Sequence, residues 1–229
     1  MRRVAVAILT VTLFAGCSGA LSADADVPSD QIPMYGNAQK PESLKQAHER
    51  FIRETTAAYG SREVASDAFA KKGWQRYEHD DLTAAMRRFN EAWLLNPNGA
   101  QPYWGFGAIL HDQGKVHEAL ALLSRAFELD PSNPRLMADL ASVVGQKATH
   151  ARTAAEREKF FAKACELFER ASALDPMNGH SYGLWAIALY DGGRYAAAWD
   201  KVHKAQELRA VIPEKFLRML REKMPEPKP

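Results

Sequence analysis

The feature that most restricts what this chain can fold into is a phrase repeated in phase. The pattern Ala-x-x-x-Phe/Leu-x-x-Ala-x-x-x-x-Pro occurs as Ala85, Phe89, Ala92, Pro97 and again as Ala119, Leu123, Ala126, Pro131, with 34 positions between the two prolines. A third copy is Ala164, Phe168, Ala171, Pro176; a fourth, lacking the proline, is Ala198, Val202, Ala205, Ala210. Pro176 to Ala210 again spans 34 positions, whereas Pro131 to Pro176 spans 45, so the third unit carries 11 extra residues. A fixed period of this length marks a chain built by stacking one supersecondary unit on the next.

The phrase has a direct physical meaning. Small Ala residues at fixed offsets let two antiparallel helices approach closely, the larger residue fills the space beside the contact, and Pro ends the second helix. Upstream lie turn signals such as His111-Asp112-Gln113-Gly114-Lys115 and Tyr190-Asp191-Gly192-Gly193-Arg194. Period, small residues, turn and terminal Pro together resemble the tetratricopeptide repeat (TPR) family over residues 66–210. The resemblance implies an all-α fold, a right-handed α-solenoid of four helix pairs at about 66–99, 100–133, 134–178 and 179–212. Gly73, Gly107, Ala141 and Ala186 are then the small residues of the first helices, and Arg76 stands where the family prefers an apolar aromatic.

The TPR domain as a whole is expected over 41–223. Within it, Leu44, Ala47, Phe51, Ile52 and Thr55 recur at helical spacing and predict an N-terminal capping helix over 42–59. Residues 213–223 predict a closing amphipathic helix with Pro213 in its first turn, and 224–229 a frayed, disordered tail. The insertion, over 146–158, is rich in Ala and mixed charge. It predicts that both helices of the third hairpin run on by about one and a half turns, as a solvated protrusion or a docking finger.

At the N-terminus, Arg2 and Arg3 precede an uncharged run over 4–15 that leads through small residues to Cys17. This is the pattern of a secretory signal peptide, and its 12 residues fall short of the roughly 20 that a spanning helix needs. Phe14-Ala15-Gly16-Cys17 resembles a bacterial lipobox, with Phe14 in place of the usual Leu. That resemblance implies a signal peptide over 1–16 and Cys17 as the acylated first mature residue. Because Ser18 rather than Asp follows, it also implies passage to the outer membrane, facing the periplasm. Residues 17–40 read as a flexible tether in which Ile32-Pro33-Met34-Tyr35 could dock on the domain. With Cys17 committed to lipid, Cys165 lacks a partner, and its place among Phe161, Ala164 and Phe168 predicts a small buried residue.

Composition and motifs narrow the function. Lys+Arg 30 stand against Asp+Glu 28, and loss of Arg2 and Arg3 leaves 28 against 28, with no global attraction for nucleic acid. The sequence has no HExxH, CxxC, GxSxG or phosphate-cradling glycine loop, and its seven histidines lack metal-site spacing. No catalysis, cofactor or metal is therefore expected. The family resemblance places Trp74, Tyr77, Trp104, His111 and Tyr190 towards a concave face, with His111, Asp112 and Asp139 setting its polarity. Rings with polar handles are suited to anchoring peptides, although a one-residue phase error would place some of these aromatics in the core. Of the Lys, Asn and Arg clamp used by the chaperone-tail-binding branch, only Arg135 has a counterpart, so that specificity is not expected. The expected function is a non-enzymatic adaptor or assembly factor for a periplasmic or outer-membrane protein or peptide. The alternatives are a carrier or sensor of a small ligand such as a cell-wall fragment, and a self-associating structural subunit.

Overall fold

A computed structural model describes residues 28–37 and 41–227; the expected signal peptide, Cys17 and the last two residues of the expected tail lie outside the described residues. Among the described residues there are ten α-helices, two 3₁₀ turns and no strand, which is the all-α class the repeat phrase implies. They divide into one compact unit up to Pro97 and another from Asn98 onward.

The first unit holds α1 (Glu42–Tyr59), α2 (Arg62–Glu78) and α3 (Leu82–Leu95). The pair α2/α3 begins earlier than residue 66, because Ser61 caps α2 by accepting the Val64 N–H at 3.2 Å. Arg62 then donates to the Leu95 and Leu94 carbonyls at 2.7 and 3.0 Å, satisfying acceptors that the end of α3 leaves open. The small-residue logic is visible at the contact. A Cβ built on Gly73 would stand 2.7 Å from the Phe89 ring, while Ala85, Phe89 and Ala92 are each 0% exposed. The expected cap α1 sits on this pair with Phe51 edge-on to Phe69, ring centroids 5.5 Å apart.

The flexible tether expected over 17–40 needs correction over Ser29–Asn37. These residues form two 3₁₀ turns, Ser29–Gln31 and Pro33–Asn37, held against α3. The holder is Asn90, whose side chain is fully buried and donates to the Asp30 and Ile32 carbonyls at 3.0 and 2.9 Å while accepting the Tyr35 N–H at 3.2 Å. Arg87 pairs with Asp30 at 2.7 Å, and the Tyr35 ring lies 4.7 Å from that of His48. A buried amide must find partners, and this segment supplies them.

The second unit stacks three pairs: α4 (Ala100–Asp112) with α5 (Val116–Leu129), α6 (Pro134–Thr149) with α7 (Ala154–Leu174), and α8 (Gly179–Asp191) with α9 (Tyr195–Glu207). Helix α6 packs on both α4 and α8, and α10 (Glu214–Lys223) closes the end against α9. A Cβ on Gly107 would lie 2.6 Å from Leu123, so glycine admits α5 here as it admits α3 in the first unit. The turns repeat as well: Asp80, Gly114 and Gly193 occupy equivalent positions with φ of 59°, 75° and 72°.

The insertion is shared unequally between its two helices. Helix α6 has 16 residues against 13 in α4, and α7 has 21 against 14 in α5, so most of the extension belongs to α7. Caps fix this division. Thr149 Oγ1 turns back onto the Gln146 carbonyl at 2.7 Å, while Thr153 accepts the Glu156 N–H at 3.1 Å and Glu156 accepts the Arg152 N–H at 3.1 Å. The expected frayed tail is also corrected over its first residues. Fully buried Trp199 donates its indole N–H to the Met224 carbonyl at 3.1 Å, and Glu226 pairs with Arg221 at 3.4 Å.

Candidate functional site

The expected site residues separate into several local arrangements. On α2, Trp74 meets Tyr77 edge-to-face at 5.5 Å and the fully buried Phe89 at 5.1 Å. Both Trp74 and Tyr77 are half-buried, Trp74 against the core ring of Phe89 and Tyr77 against Trp74. Rigid amphipathic rings of this kind present contact area at small entropic loss.

Trp104, on α4, is different. It is only 6% exposed, and its indole N–H donates to Asp139 Oδ2 on α6 at 2.7 Å. The ring expected as an open anchor and the carboxylate expected to set polarity thus hold adjacent repeats together. Satisfying a buried indole N–H requires an acceptor, and Asp139 stands one repeat on at the position that supplies it. His111, in the last turn of α4, is half-buried, and Asp112, which ends the helix, is exposed.

Tyr190 closes the series at the end of α8. Its ring is 5.6 Å from both Tyr195 of α9 and Phe216 of the closing helix α10, so it belongs largely to the junction of these helices. Burial, followed by the nearby Tyr195, Asp191 and Glu222, raises its pKa. Cys165 is half-buried rather than buried, and burial, its largest influence, pushes the thiol up, away from the thiolate that nucleophilic chemistry needs. Among the described residues no group of three His, Cys, Asp or Glu is placed to hold a metal ion.

Some organising residues carry no signal in the repeat phrase. Trp185 stacks on Phe168 at 5.8 Å with the rings 9° apart, and the Lys201 ammonium stands 3.8 Å over the indole. Arg62 and Asn90 act through backbone carbonyls distant in sequence, which no spacing rule reveals.

The arrangement of helix pairs has a counterpart among known structures. A thermophilic TPR protein of Thermus thermophilus, TTC0263, superposes with a TM-score of 0.58 at 16% identity, covering 70% of this chain and 92% of that one. The chain has the tetratricopeptide-repeat fold. An 80-residue stretch is also 36% identical to part of human protein O-mannosyl-transferase TMTC1 and 35% identical to part of its mouse counterpart. The stretch is 35% of this chain but spans only 9% of the human and 8% of the mouse protein. No protein-family model matches the chain.

Proposed function

We propose that this TPR protein is a non-enzymatic adaptor that binds another protein or peptide and holds it at a membrane. The observation carrying this reading is the Trp74–Tyr77 pair: two half-buried rings edge-to-face, with Trp74 seated on the buried Phe89, within a scaffold of paired helices. Trp104 and Asp139 serve the same end indirectly, by fixing the stagger between α4 and α6. The leader with its lipobox-like Phe14-Ala15-Gly16-Cys17 supports a lipid anchor on Cys17 and a place at the outer membrane, facing the periplasm. Mannosyl transfer is not part of the proposal, because the shared stretch spans under a tenth of the proteins that bear that name.

The test is affinity capture from native membranes with wild-type protein and a Tyr77→Ser variant of matched thermal stability. One partner recovered with the wild type and depleted at least fivefold with the variant supports recognition at this surface. Equal recovery with both refutes it. For the anchor, labelled palmitate should enter the wild type and not Cys17→Ser; label in both, or in neither, contradicts acylation at that residue.

A further inference from the structure

The third unit's insertion contributes a wall to a cleft between α6, α7 and the end of α8. In the ordinary pairs the second helix begins at Leu82, Val116 and Tyr195, and the equivalent position in the third is Phe161. Helix α7 starts seven residues earlier, at Ala154, so Arg157 and Glu158 exist only because of the extension. They form one wall of a cleft of about 230 Å³ whose other walls are Gly145, Ala148 and Thr149 of α6 and Ala188, Asp191 and Gly192 at the end of α8. Its floor includes Phe161, packed so closely on Gly192 that a Cβ there would collide with the ring. The space is below the usual range for drug-sized ligands and suits a fragment.

The charges around the cleft are unevenly satisfied. Glu158 is paired with Arg194 at 3.5 Å, and Arg194 also lies over Phe161 at 5.7 Å. Asp191 and Arg157 line the same space, yet neither side chain has an ion-pair or hydrogen-bond partner among the described residues, and they do not reach each other. Asp191 is exposed to solvent, yet the protein around the cleft desolvates its carboxyl and pushes it up to about 6. A carboxyl perturbed by desolvation in a cleft, with an unpaired guanidinium lining the same space, marks a candidate ligand site.

We propose that this cleft binds a short zwitterionic peptide, its N-terminal ammonium on Asp191 and its C-terminal carboxylate on Arg157. A charge-assisted contact at each end would satisfy both groups at once, and guanidinium suits a carboxylate because it donates in a planar fork. The apolar lining of Ala148, Phe161 and Ala188 faces the space between them. The cleft lies within the second unit, and its binding does not depend on the function of the Trp74–Tyr77 surface.

The test uses the full chain, isotopically labelled, titrated with the dipeptide Ala-Ala and followed by amide NMR shifts. Saturable shifts at Gly145, Ala148, Ala188 and Gly192 are expected. N-acetylation of the peptide, or its C-terminal amidation, should each weaken binding at least tenfold, and so should Asp191→Asn or Arg157→Gln in the protein. Both substitutions are at exposed positions, and melting curves establish that the variants are folded. Free alanine, which carries both charges on one carbon, should bind at least tenfold more weakly than Ala-Ala. Absent saturation, unchanged affinity for the blocked peptides, or equal binding of alanine would each overturn the assignment.

Discussion

Replacing Asp139 by Ala removes the acceptor that holds Trp104 across two repeats. The N–H···O contact is 2.7 Å and its donor sits on a ring only 6% exposed, so water cannot readily replace the lost partner. Hydrogen bonds to charged groups are worth about 1.5–3 kcal/mol, and Ala regains roughly 0.5 kcal/mol of helix propensity, leaving a net loss of about 1–2.5 kcal/mol. For a chain of this size that lowers Tm by roughly 2–10 °C. Circular dichroism gives the melting point, and tryptophan emission should report a changed indole environment. The decisive version is a double-mutant cycle. In the Trp104→Phe background the indole donor is gone, so Asp139→Ala should lose most of its effect, with a coupling of about 1 kcal/mol or more. If Asp139→Ala destabilises both backgrounds equally, the reasoning that ties the two residues into one structural contact is refuted.

Three further perturbations test other parts of the account. Gly107→Ala places a methyl 2.6 Å from Leu123; overpacking of about 1–3 kcal/mol outweighs roughly 1 kcal/mol of gained helix propensity, so chemical denaturation should show a loss, and a gain would contradict the close approach of α4 and α5. Asn90→Ala should release Ser29–Asn37, raising proteolytic cleavage around Met34 by tenfold or more, whereas unchanged protection would mean that Asn90 is not the clamp. Asp191, its folded pKa raised to about 6 from 3.8, binds more protons folded than unfolded, so its contribution to stability is present below about pH 4 and lost as pH rises through 6. Asp191→Asn should therefore stabilise the fold at pH 7, by about 1 kcal/mol once its solvent contact is discounted, and have little effect at pH 4; a stabilisation equal at both would assign the gain to something other than the carboxylate's charge.

The repeat phrase made the helix pairs legible because each of its positions reports a contact. Ala126 and Ala171 are essentially unexposed because a second helix lies against them, and Gly73 is small because Phe89 occupies its side-chain space. The recognition surface was less legible. A period of 34 residues says which helix carries Trp74 and Trp104 but does not resolve the rotation that leaves one ring half-open and buries the other. Asn90 illustrates another limit: inside a helical pattern an Asn looks incidental, and its partners lie 55 to 60 residues away. The cleft at Asp191 depends on how the insertion divides between α6 and α7, which is decided by the Thr153 cap rather than by apolar spacing.

The central claim, recognition of a protein partner through the α2 rings, is tested most directly by site-specific photo-crosslinking in native membranes. A photoreactive residue at Tyr77 is compared with one at exposed Arg125, on the second helix of the next pair. One discrete adduct from position 77, absent from position 125 and suppressed by an excess of unlabelled protein, is the predicted result. Adducts of equal yield from both positions, or none from position 77, would contradict the account.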